Sequence, residues 1–334
     1  MDSLKKLFDK QSLSFTQAQE LFDQIMLGNM TDIELSAALI ALKLKGESVD
    51  EIAGAAQSMR NNAVPFDSKG LSCSDSCGTG GDGANTINVS TTAAIVAAAC
   101  GINMVKHGNR SVSSKSGSAD LLRTLGINLE MSPAQASTCL ENTGFTFLFA
   151  PHYHQGVKHA MPVRGALKTR TIFNILGPLA NPAAPQAQLL GVYDPALCRP
   201  MAETLKTLGT KRAMIVHGSG TDEIALHGTT EVTELNHGEI TQYTLSPQDF
   251  GLGNYSLAQI AGDTPEYNAK ASIAVLKGEG PDAHNAAIAA NVAALLVLND
   301  QASNLTEATD HVLTVIRSGV AMTKLAEIVE VSNG

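Results

Sequence analysis

Read for its alternation of apolar and polar residues, the chain divides into two stretches of different character. Over the first seventy residues the apolar positions recur at helical spacing, with no strand-like alternation between them. Thr31 with Glu34, and Ser48 with Glu51, have the offset of a capping box just ahead of apolar-periodic segments. Between them Ile33, Leu35, Ala38, Leu39, Leu42 and Leu44 predict one broad apolar face, ended by Gly46. After Asn62 short apolar runs at 102–105, 145–149, 189–193 and 213–216 predict buried strands. Helices are predicted between them: 90–99, with Ser90 or Thr91 as N-cap and Gly101 as stop, 133–141 behind Ser132, and 195–208. A hairpin is expected at Asn236 to Gly238, between 232–235 and 240–245. Helices over 285–298 and 305–318 follow. This alternation predicts an α/β fold: a small helical N-terminal domain plus a larger α/β domain whose mainly parallel sheet is flanked by helices. The division expected is 1–70 for the helical part, with a later helical contribution near 160–185, and 71–334 for the α/β part. A cleft between the two is the expected place for a ligand.

Composition removes several function classes. With 334 residues, 44% hydrophobic and 16% charged, the chain has the make-up of a globular protein with a large core. There is no Trp, and aromatic residues are 4%, which argues against a stacking platform for single-stranded nucleic acid. The net charge of −9 argues against a phosphate-backbone binder, so no nucleic-acid partner is expected. The longest apolar runs, 93–105 and 286–298, are too short or glycine-broken to span a membrane, and no signal-like stretch opens the chain. Five cysteines, an odd number in no metal-like array, suggest reduced thiols and a cytoplasmic setting. Cys73 and Cys77 lack the second pair that a zinc site would need and read as buried thiols.

The chemistry concentrates in two loops. Gly78, Gly80, Gly81 and Gly83 let the backbone take positive φ and approach a ligand, and the helix start behind them suits a phosphate. No lysine lies between Gly70 and Lys106, so this is not a nucleoside-triphosphate loop. GTGGDG matches the dinucleotide pattern, but its last glycine does not open the helix; Asn85, Thr86, Asn88, Ser90 and Thr91 intervene. Those neutral hydrogen-bonding groups suit a ligand with many oxygens. The second loop, 106–122, begins at a strand end and carries Lys106, Arg110 and Lys115 with Asn109, Ser111, Ser113, Ser114, Ser116 and Ser118, and a helix is expected to start near Ser116. One neutral and one basic helix-start loop side by side fit a polyhydroxyl ligand with phosphates at both ends, such as an activated sugar phosphate. Asp222 and Glu223 follow HGSGT, 217–221, which comes directly after the predicted strand 213–216; they read either as cation ligands facing the site or as acids at a helix N-terminus. His152, His154 and His159 lack the helical spacing of a metal site and read as loop or channel residues.

GTGGDG with NVST at 78–91, KHGNRSVSSKSGSAD at 106–120, PVR at 162–164, NILGPLANP at 174–182, GVYDP at 191–195 and DE at 222–223 resemble, in order and over essentially the whole chain, the anthranilate phosphoribosyltransferase family. The resemblance implies a nucleoside phosphorylase-like α/β domain, Mg²⁺ dependence, a homodimer, and the monofunctional form without an attached glutamine-amidotransferase domain. It implies phosphoribosyl transfer to anthranilate in tryptophan biosynthesis. Carried over residue by residue, Gly78, Gly81, Asp82, Thr86, Asn88, Val89, Ser90 and Thr91 bind phosphoribosyl pyrophosphate. So do Lys106, His107, Gly108, Asn109, Arg110, Ser111, Val112, Ser113, Ser114 and Ser118. Gly78, His107, Asn109, His154, Arg164 and Pro178 face anthranilate, and Ser90, Asp222 and Glu223 hold the metal. Lys106, Asn109 and Arg164 are the expected catalytic residues. A pyrimidine-nucleoside phosphorylase and a non-enzymatic nucleic-acid-binding paralogue are the rivals; the NVST and DE motifs speak against the first and the acidic charge against the second.

Overall fold

The computed structural model describes residues 2–111 and 115–334. Four helices come first: α1 (Asp2–Phe8), α2 (Phe15–Met26), α3 (Asp32–Lys45) and α4 (Val49–Asn61). Both expected capping boxes form, the Thr31 and Ser48 hydroxyls accepting from the Glu34 and Glu51 N–H groups while each glutamate accepts from its cap residue's N–H. Gly54 lies mid-helix in α4, where a Cβ would collide with the Phe15 carbonyl, so the glycine sets how closely α2 and α4 pack. α3 departs from the expectation. Leu35, Ala38, Leu39 and Leu42 are buried, but Ile33 and Leu44 stand 82% and 80% exposed. With half-buried Ala37 and Ile40 they form a second apolar stripe on the opposite side of the helix.

The rest of the chain runs β1 (Ser74–Gly78), α5 (Val89–Ala99), β2 (Met104–Gly108), α6 (Ser118–Thr124), α7 (Pro133–Thr143) and β3 (Phe145–Phe149). Next come the short helices α8 (Ala150–Tyr153), α9 (Met161–Leu167) and α10 (Phe173–Leu176), then β4 (Ala187–Gly191), α11 (Cys198–Thr207) and β5 (Arg212–Gly218). The hairpin of β6 (Thr230–Asn236) and β7 (Glu239–Leu245) and four helices complete it: α12 (Pro265–Leu276), α13 (Asp282–Leu298), α14 (Leu305–Ser318) and α15 (Val320–Asn333). None of the described helices is long and apolar enough to cross a membrane.

One sheet has the order β3-β2-β1-β4-β5-β6-β7, parallel through β5 and antiparallel over the last two strands. His237 and Gly238, both at positive φ, turn the expected hairpin. Alternate residues of a strand serve opposite cores. Leu189, Met214 and Val216 pack with α5 and α13, whereas Leu190, Ala213 and Ile215 join a core that continues through α11 and Phe173 into α2, α3 and α4. The helical N-terminus and residues 160–180 therefore close over one face of the sheet.

Several boundaries differ from the sequence reading, each for a physical reason. β1 was not expected, because SDSC has no apolar run; its Ser74, Asp75 and Ser76 are buried polar residues. Ser74 Oγ donates to Asn299 Oδ1 and Asp75 accepts from Asn181. β2 extends to Gly108 through buried Lys106 and His107, where a charged residue seemed to end the strand. α5 is capped by Asn88 rather than Ser90 or Thr91, and α6 begins at Ser118 behind Gly117. α12 and α15 are further elements that apolar periodicity did not reveal. The chain passes from β1 to β2 and β3, then returns to β4 on the other side of β1. The strand order thus reverses between β1 and β4, the place where open parallel sheets receive ligands at their carboxyl ends.

Candidate active site

Four parallel strands end in glycine along that carboxyl edge: Gly78 on β1, Gly108 on β2, Gly191 on β4 and Gly218 on β5. Each absence of a Cβ has a steric reason. A Cβ on Gly78 would run into the Asp222 carboxylate, on Gly191 into the Asp222 carbonyl, and on Gly218 into the Glu223 carbonyl. On Gly108 it would meet the Ser118 hydroxyl. Residues 222–223 therefore lie across the strand tips at the switch point, with Gly78 and Gly191 paired beneath them. They sit in a bend with no helix, which removes the helix-terminus reading of the acid pair.

Three carboxylates meet there. The Gly80 N–H donates to Asp222 Oδ2 at 2.7 Å, the Asp222 N–H to Asp82 Oδ2 at 3.3 Å, and the Ser90 N–H to Glu223 Oε1 at 3.3 Å. Burial, reinforced by Asp82, pushes Asp222 up to about 7; burial, reinforced by Asp222, raises Glu223 well above the carboxylate range. The opposing charge is Lys106, only 2% exposed, whose ammonium donates to the Ser76 carbonyl and lies 3.4 Å from Ser90 Oγ. Lys106 also acts on buried Asp75, which burial raises to about 6 against the pull of Lys106 and Asn181.

Hydrogen bonds tie the two loops together. Asn88 Nδ2 donates to the Ser116 carbonyl, and Asn88 Oδ1 accepts from Ser116 Oγ and from Asn268 on α12. Thr86 is held by a bridge to Ala261. In the basic loop Asp120 Oδ2 accepts from the Ser111 and Gly117 N–H groups, which closes it at the start of α6. Asn109 Oδ1 accepts from the Arg110 N–H, and Ser118 Oγ donates to the Asn109 carbonyl. Arg110 lies 5.9 Å over the Phe149 ring. Val89 and Thr91 have buried side chains, so only their first-turn backbone is available to a ligand. Val112, Ser113 and Ser114 lie outside the described residues.

A less polar wall adjoins the carboxyl edge. The rings of His107 and His154 meet edge to face at 5.0 Å, and His107 Nδ1 lies 3.2 Å from the Gly177 carbonyl, next to buried Pro178. Burial carries His107 down to about 3 and His154 to about 4, so both are neutral near pH 7. Arg164, on α9, lies 5.0 Å over the Phe173 ring, and among the described residues no carboxylate pairs with it. The other two histidines go elsewhere: His152 pairs with Glu130 at 2.8 Å, a partner distant in sequence, and His159 packs against Gly28.

The same arrangement of modules is found in proteins of known family. The helical bundle domain of a glycosyl transferase family matches residues 1–63, and its a/b domain matches 71–322. An anthranilate phosphoribosyltransferase from Pseudoalteromonas translucida is 69% identical over 332 residues, covering 99% of this chain and 94% of that protein. The chain belongs to the anthranilate phosphoribosyltransferase family. The crystal structure of the Thermus thermophilus member superimposes with a TM-score of 0.95 at 39% identity, each chain fully covered. The Saccharomyces cerevisiae member in complex with PRPP and Mg matches with a TM-score of 0.89 at 29% identity, covering 99% of this chain and 97% of that one.

Within this family member the sequence reading missed residues that hold the named ones in place. Asp75, held by Asn181, faces Lys106, Gln188 donates to the Pro178 carbonyl, Asp120 closes the basic loop, and Asn268 supports Asn88. Thr79 fastens the glycine loop to β4, donating its N–H to the Gly191 carbonyl and accepting from the Tyr193 N–H. Arg170 reaches the glycine loop from the segment after α9. Asp120 and Asn181 stand in the motifs that carried the resemblance, which was the available signal; for Asp75 and Arg170 the sequence holds none.

Proposed function

We propose that the chain transfers the phosphoribosyl group of 5-phosphoribosyl 1-pyrophosphate to the amine of anthranilate, giving N-(5-phosphoribosyl)anthranilate and pyrophosphate in tryptophan biosynthesis. The observation that carries this reading is the placement of both phosphate-type loops, the acid cluster and the neutral histidine wall around one switch point. The donor occupies the carboxyl edge, its pyrophosphate against the glycine loop and the α5 terminus and its 5-phosphate against the basic loop. Anthranilate takes the His107–His154–Pro178 wall, and Arg164, free of acidic partners among the described residues, receives its carboxylate through parallel hydrogen bonds.

In the reaction the amine nitrogen bonds to the anomeric carbon as the bond from that carbon to the pyrophosphate oxygen breaks. The electron pair leaves with pyrophosphate, and the amine gives up one proton to that departing group or to solvent. The amine carries its own lone pair, so the protein's task is to position the two substrates and stabilise charge. Neutral His107 and His154 leave the amine unprotonated, and Lys106 stands as a fixed cation at the donor end. Ser90, Asp222 and Glu223 offer oxygen donors only, and a cation would relieve both the burial of the two acids and the carboxylate repulsion that adds to it in raising them. That donor set fits Mg²⁺, which takes one or two carboxylates, keeps waters and shares substrate phosphates. Among the described residues no three His, Cys, Asp or Glu side chains converge as a complete metal cage, and a phosphate-shared ion requires none. Bound there, Mg²⁺ would neutralise the departing pyrophosphate.

The protein acts as a cytoplasmic homodimer. Its five unpaired thiols suit a reducing compartment, and the exposed Ile33–Leu44 stripe of α3 is an apolar face of the kind a second copy covers. The test is direct: anthranilate fluorescence should fall when the protein, donor and Mg²⁺ are all present. Loss of signal without donor, or none with it, overturns the assignment.

A further inference from the structure

Arg170 is not among the residues through which the family resemblance was drawn, yet it is the cation that touches the glycine-rich loop from outside. It lies between α9, which carries Arg164, and α10, which leads to Pro178. Its neighbour Thr169 accepts from Lys43 of α3, so this segment is anchored to the helical N-terminus. From there the Arg170 guanidinium donates through Nη2 to the Gly81 carbonyl and stacks 3.8 Å over the Tyr193 ring. Tyr193 in turn donates its N–H to Thr79 Oγ1 at the root of the same loop. One side chain thus engages the crown of the loop and, through Tyr193, its base.

The loop's other restraints fall on either side of Gly81: Thr79 holds its base, and Gly80 and Asp82 bond to Asp222. Gly80, Gly81 and Gly83 all have positive φ, and a Cβ on Gly80 or Gly83 would meet nothing within 4 Å. At Gly81 a Cβ would sit 3.2 Å from Arg170 Nη2, so the glycine there also admits the guanidinium. In a trans peptide the carbonyl and the following N–H point in opposite directions. By holding the Gly81 carbonyl, Arg170 turns the Asp82 N–H away from itself and fixes the orientation of one donor in an anion-binding turn.

We propose that Arg170 is a positioning residue which sets the glycine loop for the donor pyrophosphate and couples that loop to the acceptor-side segment 161–178. The inference rests on the transferase reading above. Arg170 is exposed, and an exposed contact adds little to global stability, so its removal should act on the loop and spare the fold.

The experiment compares the parent with Arg170→Ala and Arg170→Lys, measuring donor and anthranilate KM, the thermal midpoint, and equilibrium binding of phosphoribosyl pyrophosphate with Mg²⁺ and no acceptor. Arg170→Ala should raise the donor KM and dissociation constant roughly tenfold, because the freed loop is then in its binding-competent conformation only about a tenth of the time. Anthranilate KM at saturating donor should stay within about twofold and the thermal midpoint should be unchanged. Lysine, which can donate to the Gly81 carbonyl but lacks the planar stack, should restore part of the affinity. A donor affinity equal to the parent's overturns the inference. So does a joint rise of both KM values with a lowered midpoint, which would mark a purely structural residue. Turnover by the parent tests the transferase reading separately, so a failure of that reading is not confused with a failure of this one.

Discussion

Replacing Asn181 by alanine should destabilise the protein by an amount that depends on pH. Asn181 is fully buried, and its Nδ2 donates to Asp75 Oδ2 and to the Val105 carbonyl, both at 2.8 Å. The first bond is charge-assisted when Asp75 is ionised and is worth about 1.5–3 kcal/mol; the second, between neutral groups, is worth about 0.5–1.5 kcal/mol. At pH 8 the truncation removes both, together with the bond that the Ala183 N–H donates to Asn181 Oδ1, a loss of about 2.5–6 kcal/mol. Burial has already lifted Asp75 to about 6, with Lys106 and Asn181 among the groups that hold it down. Without Asn181 it should rise by roughly one to two further units, at about 1.36 kcal/mol per unit. A carboxyl raised above its unfolded value favours folding while protonated; that contribution is complete below about pH 4 and is lost as pH rises through the folded value. At pH 5 Asp75 is therefore mostly protonated in both proteins, only neutral hydrogen bonds are lost, and the destabilisation shrinks to about 1.5–4.5 kcal/mol. Urea unfolding of parent and variant at pH 5, 6, 7 and 8 measures this, and titrations common to both cancel in the difference. A destabilisation equal at all four values would refute the picture of an ionisable Asp75 held between Lys106 and Asn181.

Three further outcomes are expected. Arg164→Ala should raise anthranilate KM roughly ten- to a hundredfold with little change in donor KM, and the reverse pattern would place Arg164 elsewhere. Asp222→Asn combined with Glu223→Ala should raise the Mg²⁺ concentration for half-maximal rate without lowering the thermal midpoint, since two mutually repelling buried acids are removed; unchanged Mg²⁺ dependence would take the pair out of the site. Ile33→Glu with Leu44→Glu should convert a dimer to a monomer by light scattering, and a dimer that persists would exclude the outer stripe of α3 as its interface.

Local signals foretold what they physically control. The Thr31–Glu34 and Ser48–Glu51 boxes, the Gly46 stop and the Asn236–Gly238 turn depend on hydrogen bonds and dihedral angles within a few residues, and all four form. Apolar runs located β3 because all five of its residues are buried and four of them are Phe or Leu. They failed at β1, where Ser74, Asp75 and Ser76 are buried with polar partners 30 to 225 residues away in the chain. They failed again within α3: a segment nearly apolar all round holds no information about which side meets the protein's own core.

At the site, residue types and their order in the chain determined the chemistry: glycines without a P-loop lysine, a hydroxyl-rich helix start, a basic loop and an adjacent acid pair point to an oxygen-rich phosphorylated ligand. Tertiary structure alone decided how those groups are tuned and braced. The reversal of strand order between β1 and β4 brings Gly78, Gly191 and Asp222 together, burial raises the acids and lowers His107 and His154, and the segment after α9 delivers Arg170 to Gly81. Each of these depends on contacts between residues remote in sequence and on the exclusion of water. Backbone preferences and capping act over one or two turns of chain, whereas desolvation and steric contact arise only once distant segments have packed.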